Sequence, residues 1–562
     1  MAEIASKDLW KIAVDLNNER IEVRPGTSIA EVLKDSKSHD PELFIGAKMN
    51  NRIVDISEKL WQSSNIELLD LFSEDGMRIY RQSLVFVLGW AVYELFPNAK
   101  LEVKYSLGQS YYCEFANQDS LLNSEIENIE KRMQQLIKSN LSIYSVVLKK
   151  EEAIEYLNKY KRPDTLALIE SMKWEEIRIH FSGKYADFSK SILVPRTGIL
   201  KVFTLEAFNR GFLLLFPGVE DRTKPAQKYN LPQLARAWQE SEEWAKILGI
   251  RNIPGLVQLY KRDHKEADNL IHIGEALQEK KIAQMSDEIY QRSDKIKIIL
   301  IAGPSSSGKT TFAERLAIQL RVLGLRPIAI STDDYFLNRE HTPLDESGEY
   351  DFEALEAVDL NLFNKHLQML IEGKQILCPI FDFNNGSRSE NGREVASEDG
   401  HPIIIEGIHS LNEELTAAVP REKKCKIYIS SLTQVAIDDH NRINTTDTRL
   451  IRRIVRDNHF RGRTALETLK FWPSVRKGEE KNIFPFQEEA DMFFNSSLIF
   501  ELSILKSYAY NLLNEITPAE KEYSDAEHLL RLLDYFPEIS DRYVPLNSIL
   551  REFIGGSSIN GR

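Results

Sequence analysis

The spacing of apolar residues changes character along this chain and marks stretches of different kind. From Lys11 to Leu71 the runs are short and strand-like. Lys11–Leu16 alternates, turns at Asn17-Asn18 and returns through Arg20–Val23, a hairpin pattern. Pro25-Gly26-Thr27-Ser28 interrupts, and Ile29, Val32 and Leu33 then stand at helical spacing behind a Ser/Thr cap. Phe44–Lys48, Arg52–Val54 and Ile66–Leu71 add strand candidates around a turn at Asn50-Asn51. Between residues 216 and 295, Pro217-Gly218, Lys224-Pro225 and Leu231-Pro232 break the chain before two long charged helices, Gln233–Leu248 and Leu256–Arg292. Acidic and basic residues alternate along the second as on a solvated face, which makes His264 and His272 surface histidines.

From Lys295 onward strands and helices alternate, the pattern of a parallel sheet with crossover helices. The strand candidates are Ile296–Ala302, Pro327–Thr332, Pro402–Glu406, Lys426–Ile429 and Ala490–Phe494, with helices after Thr310, Glu353, Asn412, Thr446 and Glu501. Residues 511–562 show amphipathic helical patterning at Leu529, Leu530, Leu532 and Leu533 and end in a polar, Gly-rich tail. Nothing in that last stretch carries chemistry by its sequence.

Ligands of such sheets sit at the carboxyl ends of the strands. The first strand runs into Gly303-Pro304-Ser305-Ser306-Ser307-Gly308-Lys309-Thr310, followed by Thr311 and a helix. This is the strand–loop–helix context of a phosphate loop. Its glycines let backbone N–H groups turn toward one anion, helped by the positive end of the helix. Gly303, Ser305, Ser306, Ser307, Gly308, Lys309, Thr310 and Thr311 are therefore the nucleotide-binding candidates, with Lys309 on the β- and γ-phosphates and the Thr310 hydroxyl on Mg²⁺. After the second strand comes Ser331-Thr332-Asp333-Asp334-Tyr335-Phe336, where Asp333 is placed to take the proton of an incoming hydroxyl. Glu406 ends another apolar strand, the position that holds Mg²⁺ through water. Between Thr448 and Arg463 the chain is dense in arginine. Arg449, Arg453 and Arg456 share a helical face, and Arg461 and Arg463 flank Gly462. Guanidinium groups on such a lid suit the charge of a phosphoryl group in transfer, and the lid would exclude water.

Composition narrows the class. The 562 residues allow about three or four domains. With 42% hydrophobic and 28% charged residues, core material is ample. A net charge of −13 argues against a nucleic-acid footprint over the whole protein, leaving only a local basic patch such as the arginine helix. Cys113, Cys378 and Cys425 stand far apart and read as reduced thiols. The first residues, Met1 to Asp8, lack the apolar core of a signal peptide and no run approaches a membrane span, so the expected location is cytoplasmic.

Two resemblances complete the reading. Residues 11–72 resemble the TGS β-grasp domain at the start of threonyl-tRNA synthetases. Glu74–Ser83 through Leu95-Phe96-Pro97, then Tyr111–Phe115 and the helix around Glu125–Leu136, resemble the editing domain of the same enzymes. Where that family carries two histidines, a cysteine and a further histidine, this chain has Gln82, Phe86, Ser189 and Leu193. The resemblance implies a module kept as a shape without its hydrolytic chemistry. Its role would be structural or regulatory, or a weak RNA or protein contact.

Residues 295–510 resemble the uridine kinase/phosphoribulokinase family, through Ser331–Phe336, Tyr350-Asp351, Pro379–Phe383, Ile405–Ile408 and Asp447–Arg463. The resemblance implies Asp333 as base, Thr310 and Glu406 with Asp333 as Mg²⁺ partners, and Asp351 as a ribose-hydroxyl ligand. It also implies Phe336, Phe381 and Arg453 on the acceptor side and Arg456, Arg461 and Arg463 as the phosphate clamp. Three base-reading positions depart from the family's tyrosine, tyrosine and histidine: Phe336, Phe381 and Gly386. A stretch at Phe471–Pro485 reads as an insertion after the lid.

The expected fold is multidomain: a β-grasp (1–72) and an α+β editing-like module (73–215), a helical connector (216–294), an α/β P-loop kinase with a parallel sheet flanked by helices (295–510), and a helical extension (511–562). The expected activity is ATP- and Mg²⁺-dependent phosphorylation of a small molecule, foremost the 5′-hydroxyl of a nucleoside such as uridine or cytidine. A sugar-phosphate acceptor and an RNA-associated regulatory ATPase stand as alternatives, and a homo-oligomer is expected by default.

Overall fold

The computed structural model describes residues 11–36, 43–160, 162–262, 264–344, 348, 350–382, 385–389, 391–398 and 400–559, with Asp35, His264 and Ala267 described by backbone alone. The start of the chain read for a signal peptide and Phe383 of the Pro379–Phe383 motif segment lie outside these residues.

The N-terminal hairpin forms as its alternation predicts, with Ile12–Leu16 pairing antiparallel to Glu19–Val23 across Asn17 and Asn18, both at positive φ. Ile12–Leu16 pairs in parallel with Ser64–Leu69, which completes a five-stranded mixed sheet with Gly46–Met49 and Arg52–Val54. The helix Ile29–Asp35 is capped by Ser28, whose hydroxyl accepts from the N–H of Glu31 while the Glu31 carboxylate accepts from the N–H of Ser28. This is a β-grasp arrangement. Next, the helix Glu74–Leu95 packs with a four-stranded antiparallel sheet (Leu101–Ser106, Ser110–Phe115, Thr204–Phe208, Gly211–Leu215) and a three-stranded one (Tyr144–Lys149, Glu176–Ser182, Tyr185–Phe188).

The C-terminal half holds five parallel strands in the order Ile328–Ser331, Ile403–Glu406, Ile298–Ala302, Lys424–Ser430, Met492–Asn495. All five strands stand where the apolar runs place them. Ile298–Ala302 and Ile403–Glu406 are buried throughout, as parallel strands covered by helices must be. Helices Lys309–Val322, Leu360–Ile371, Thr445–Arg461 and Glu501–Asn514 form as expected. The expected helix after Asn412 is a single 3-10 turn, Glu413–Thr416. Phe471–Pro485, the stretch read as an insertion, is helical: it continues the helix Ala465–Asn482, which carries Pro473 within it, into a 3-10 turn.

The connector departs most from expectation. Its second helix divides into Ile253–Arg262 and His264–Tyr290. Far from being solvated all round, the latter presents Glu275, Gln278 and Glu279 to the buried Arg315 of the phosphate-loop helix, whose Nη2 donates to Glu279 at 2.7 Å. Its charges are thus partly an internal ion-pair set, which the pattern of signs alone does not distinguish from a wet surface. His272 is exposed, its ring 6.0 Å from that of Tyr543. One continuous apolar core runs from Ile45 through the editing-like module and connector to Ile554. The three cysteines are free and buried. Among the described residues no helix is long and apolar enough to cross a membrane.

Candidate active site

The loop from Gly303 to Gly308 joins the central strand to the helix Lys309–Val322. Ser306 and Gly308 have φ of 59° and 86°, so the backbone curls and the first N–H groups of the helix face the loop's hollow. At Gly308 a Cβ would also meet Ile549 Cγ2 at 2.6 Å. Lys309 folds back over the loop and donates to the carbonyls of Gly303 (2.9 Å) and Pro304 (3.3 Å).

Beside this loop opens a cavity of about 990 Å³. One wall is the loop from Ser305 to Thr310, and another carries Ser331, Asp333 and Glu406 at the ends of two neighbouring strands. A third carries Arg453, Arg456, Arg461 and Arg463, and the far end is apolar, with Phe336, Phe352, Phe381 and Phe471. Burial first and the nearby charge of Asp333 second push the Glu406 carboxyl up to about 7. A pair of carboxylates crowded in this way, next to the Thr310 hydroxyl, is a hard-oxygen donor set short of one cation, which suits Mg²⁺. Among the described residues no group of three or more His, Cys, Asp or Glu could hold a metal by itself. A divalent ion here would complete its shell with phosphate and water oxygens.

The clamp candidates converge on one acid. Arg456 donates twice to Asp457 (2.9 and 2.7 Å), and Arg453 and Arg461 lie 3.3 and 3.6 Å from the same carboxylate. Burial would raise that carboxyl, but the three guanidinium groups outweigh it and hold Asp457 below the usual range. The like charge of Arg456 first, and burial second, bring Arg461 down to about 9. Arg453 reaches the loop, donating to Ser305 Oγ at 2.7 Å, and Arg463 lies over the Phe471 ring. Arg449, on the same helical face by sequence, is not available as a clamp: it is buried and bidentate on Glu479.

Three expected residues stand outside the cavity lining, Gly303 among them, whose carbonyl accepts from Lys309. Asp351 is absent from its lining, and its carboxylate accepts from the N–H of Glu353 at 3.1 Å. Thr311 is buried, and its hydroxyl and N–H donate to Glu552. At the apolar end, the Phe336 and Phe381 rings meet edge to face at 5.7 Å. Gly386 has φ of 67°, and a Cβ there would stand 3.0 Å from Arg339 Nε, so this backbone favours glycine over a histidine.

Four functional candidates escaped the sequence. Glu353, half-buried in the lining, is pushed up to about 7 by burial against the opposing charge of Arg453. Glu479 accepts from Ser305 N–H at 3.0 Å. Arg452 bonds Glu501 and the carbonyl of Ser306. Glu552, from the stretch expected to carry no chemistry, reaches the phosphate-loop helix. Arg452 lies within the Asp447–Arg463 motif but was given no role there; the other three lie in no motif, and only tertiary contact brings them here.

The positions of the editing residues are also filled. Phe86 and Leu193 are core residues, and the Ser189 hydroxyl donates to Ser191 O. Gln82 donates to Asn441 Oδ1 at 2.9 Å. Asn441 belongs to the loop between the strand Lys424–Ser430 and the arginine helix, so the C-terminal half plugs this pocket. Around the plug, buried Arg162 pairs with Asp187 and Asp164, and His440 Nδ1 lies 2.7 Å from Asp187. Thr165 donates to Asp438 at 3.0 Å.

Residues 298–498 match the model of the phosphoribulokinase/uridine kinase family. The threonine–tRNA ligase of Desulforamulus reducens is 32% identical over 181 residues, 32% of this chain and 28% of the ligase. That of Caldanaerobacter subterraneus subsp. tengcongensis is 28% identical over 185 residues, 33% and 29%. The chain thus spans under a third of the length of these two relatives. Among solved structures, a possible uridine kinase from Bacillus stearothermophilus is 19% identical with a TM-score of 0.25, covering 37% of this chain and all of that one. A putative fructose transport system kinase from a Silicibacter species is 16% identical with a TM-score of 0.25, covering 38% and 98%. Residues 298–498 are thus similar to the phosphoribulokinase/uridine kinase family, and the N-terminal region of the same chain is similar to part of the threonine–tRNA ligases.

Proposed function

We propose that this protein transfers the γ-phosphoryl group of ATP to a hydroxyl of a small molecule, with a nucleoside 5′-hydroxyl as the leading acceptor. The observation that carries the reading is the single cavity in which Lys309, Asp333, Glu406 and four arginines face one another. The loop N–H groups and Lys309 would hold the β- and γ-phosphates. Thr310, Glu406 and Asp333 would hold Mg²⁺, which when bound offsets the negative charge of the phosphates. Asp333 would accept the proton of the attacking hydroxyl as its oxygen bonds to phosphorus and the bond to the β-phosphate oxygen breaks, releasing ADP. Arg453, Arg456 and Arg461 would turn from Asp457, and Arg463 from the Phe471 ring, toward the phosphoryl oxygens. The helices of residues 216–294 would act as a buttress of the kinase half, and the editing-like module as the docking scaffold for the root of the arginine helix.

A second acceptor class has one observation in its favour. Arg339 lines the cavity and fills the space that Gly386 leaves, a cation where the family reads a base edge. This favours an anionic acceptor such as a sugar phosphate. ADP release measured over a panel of nucleosides, sugar phosphates and tRNA separates the readings. Turnover on a small hydroxyl acceptor should vanish in Lys309→Ala and fall at least about a hundredfold in Asp333→Asn, both folded. Near-normal turnover in both variants, or turnover stimulated by tRNA alone, would refute the proposal.

A further inference from the structure

The phosphate loop carries protein carboxylates where an anion belongs. Thr311 is the third residue of its helix, and both its N–H (3.3 Å) and its hydroxyl (2.7 Å) donate to Glu552 Oε2. At the other rim the Ser305 N–H donates to Glu479. Helix N-termini and curled loops of this kind attract anions through converging N–H groups. Glu479 is already neutralised by Arg449 and Arg476. Glu552 is different: its hydrogen-bond partners here are the donors of Thr311, and it lines the nucleotide cavity.

The segment that bears it is firmly seated. Ile549, Leu550 and Phe553 are fully buried, Ile549 packs on Gly308, and Phe553 lies under the Arg452 guanidinium at 5.0 Å. Ser548 donates to Glu275 of the connector helix. The backbone therefore stays in place while the Glu552 side chain alone, through its rotatable bonds, can leave Thr311.

We propose that Glu552 is a resident competitor of the donor nucleotide, occupying the Thr311 donors until a nucleotide phosphate displaces it, so that its charge sets the affinity for the donor. The inference rests on the reading of this cavity as a nucleotide site. It adds a specificity-determining residue from the C-terminal extension, which the family match at 298–498 does not reach. Because the competition is between anions, it weakens binding of phosphorylated ligands and leaves an uncharged nucleoside untouched.

The test is calorimetric titration of the full chain with ATP, ADP and adenosine, for the wild type, Glu552→Gln, Glu552→Ala and Glu552→Asp. Loss of the charge should tighten ATP and ADP binding about tenfold, the equivalent of ~1.4 kcal/mol, with no gain for adenosine. The shorter Glu552→Asp, still charged but a methylene farther from Thr311, should fall between and keep the shape of the segment. In turnover assays the KM for ATP should drop by the same factor. Equal or weaker ATP binding in Glu552→Gln, an equal gain for adenosine, or no ATP binding in any form would overturn the inference. Tighter ATP binding without ADP release on any hydroxyl acceptor would uphold it and refute the proposed transfer reaction instead.

Discussion

Replacing Arg162 with methionine should destabilise the protein more than any exposed ion-pair mutation, and the loss should grow with pH. Arg162 is 7% exposed and is the cation among three acids, Asp164, Asp187 and Asp438, the last with Oδ1 at 3.9 Å. Methionine keeps the length of the side chain but leaves those carboxylates facing one another in the interior. Removing one partner of a buried pair costs about 3–5 kcal/mol, and three stranded acids place this site toward the upper end. In the wild type, burial raises Asp187, yet Arg162 and His440 outweigh it and hold it below its ordinary range. Its stabilisation is therefore present above that range and lost as the pH falls through the depressed value. In the variant the same carboxyls rise instead and take up protons in acid, which relieves the repulsion. Urea unfolding followed by tryptophan fluorescence should give a gap of about 3–5 kcal/mol at pH 8 that narrows by half or more at pH 5. Arg326→Met, which breaks the surface pair with Glu398, should cost under about 1 kcal/mol. Since the loop carrying Asp438 and His440 leads into the arginine helix at Thr445, Arg162→Met should also raise the KM for ATP. A gap below about 1 kcal/mol at pH 8, or one that does not change with pH, would refute the reasoning.

Two further outcomes are open to direct measurement. Glu353, raised to about 7, contributes stability that is present below its unfolded value near 4.5 and lost as the pH climbs through 7. Glu353→Gln should therefore gain about 1–2 kcal/mol over the wild type at pH 8 and little at pH 4. That range discounts the full shift for partial exposure. Gly308→Ala should cost about 2–4 kcal/mol by thermal unfolding, from a left-handed φ together with the clash on Ile549. It should also weaken ATP binding, because the curl of the loop is lost.

The parallel sheet, the phosphate loop and the arginine helix were legible in the sequence because each depends on residues close together in the chain. A run such as Ile298–Ala302, short, rich in isoleucine and ended by Gly303-Pro304, favours a covered strand, and the curve of Gly303–Thr310 is set by residues close together in the chain. The β-grasp hairpin and the Ser28–Glu31 capping box are equally local. Asp333 and Glu406 were legible because a parallel sheet brings the carboxyl ends of its strands to one edge.

What the tertiary structure alone decided is which charge meets which. Arg449 and Arg453 share a helical face, yet one is spent on buried Glu479 and the other reaches Ser305. Asp457, a residue of the same helix, gathers Arg456 and Arg461 together with Arg453. Glu552 stands 241 positions from Thr311 and bonds it, and Asn441 plugs a pocket 359 positions away at Gln82. Signs and periodicities fix the class of each side chain and the local path of the backbone. Ion pairs in a low-dielectric interior are set instead by packing among segments with no sequence relation, and that packing exists only once the chain has closed.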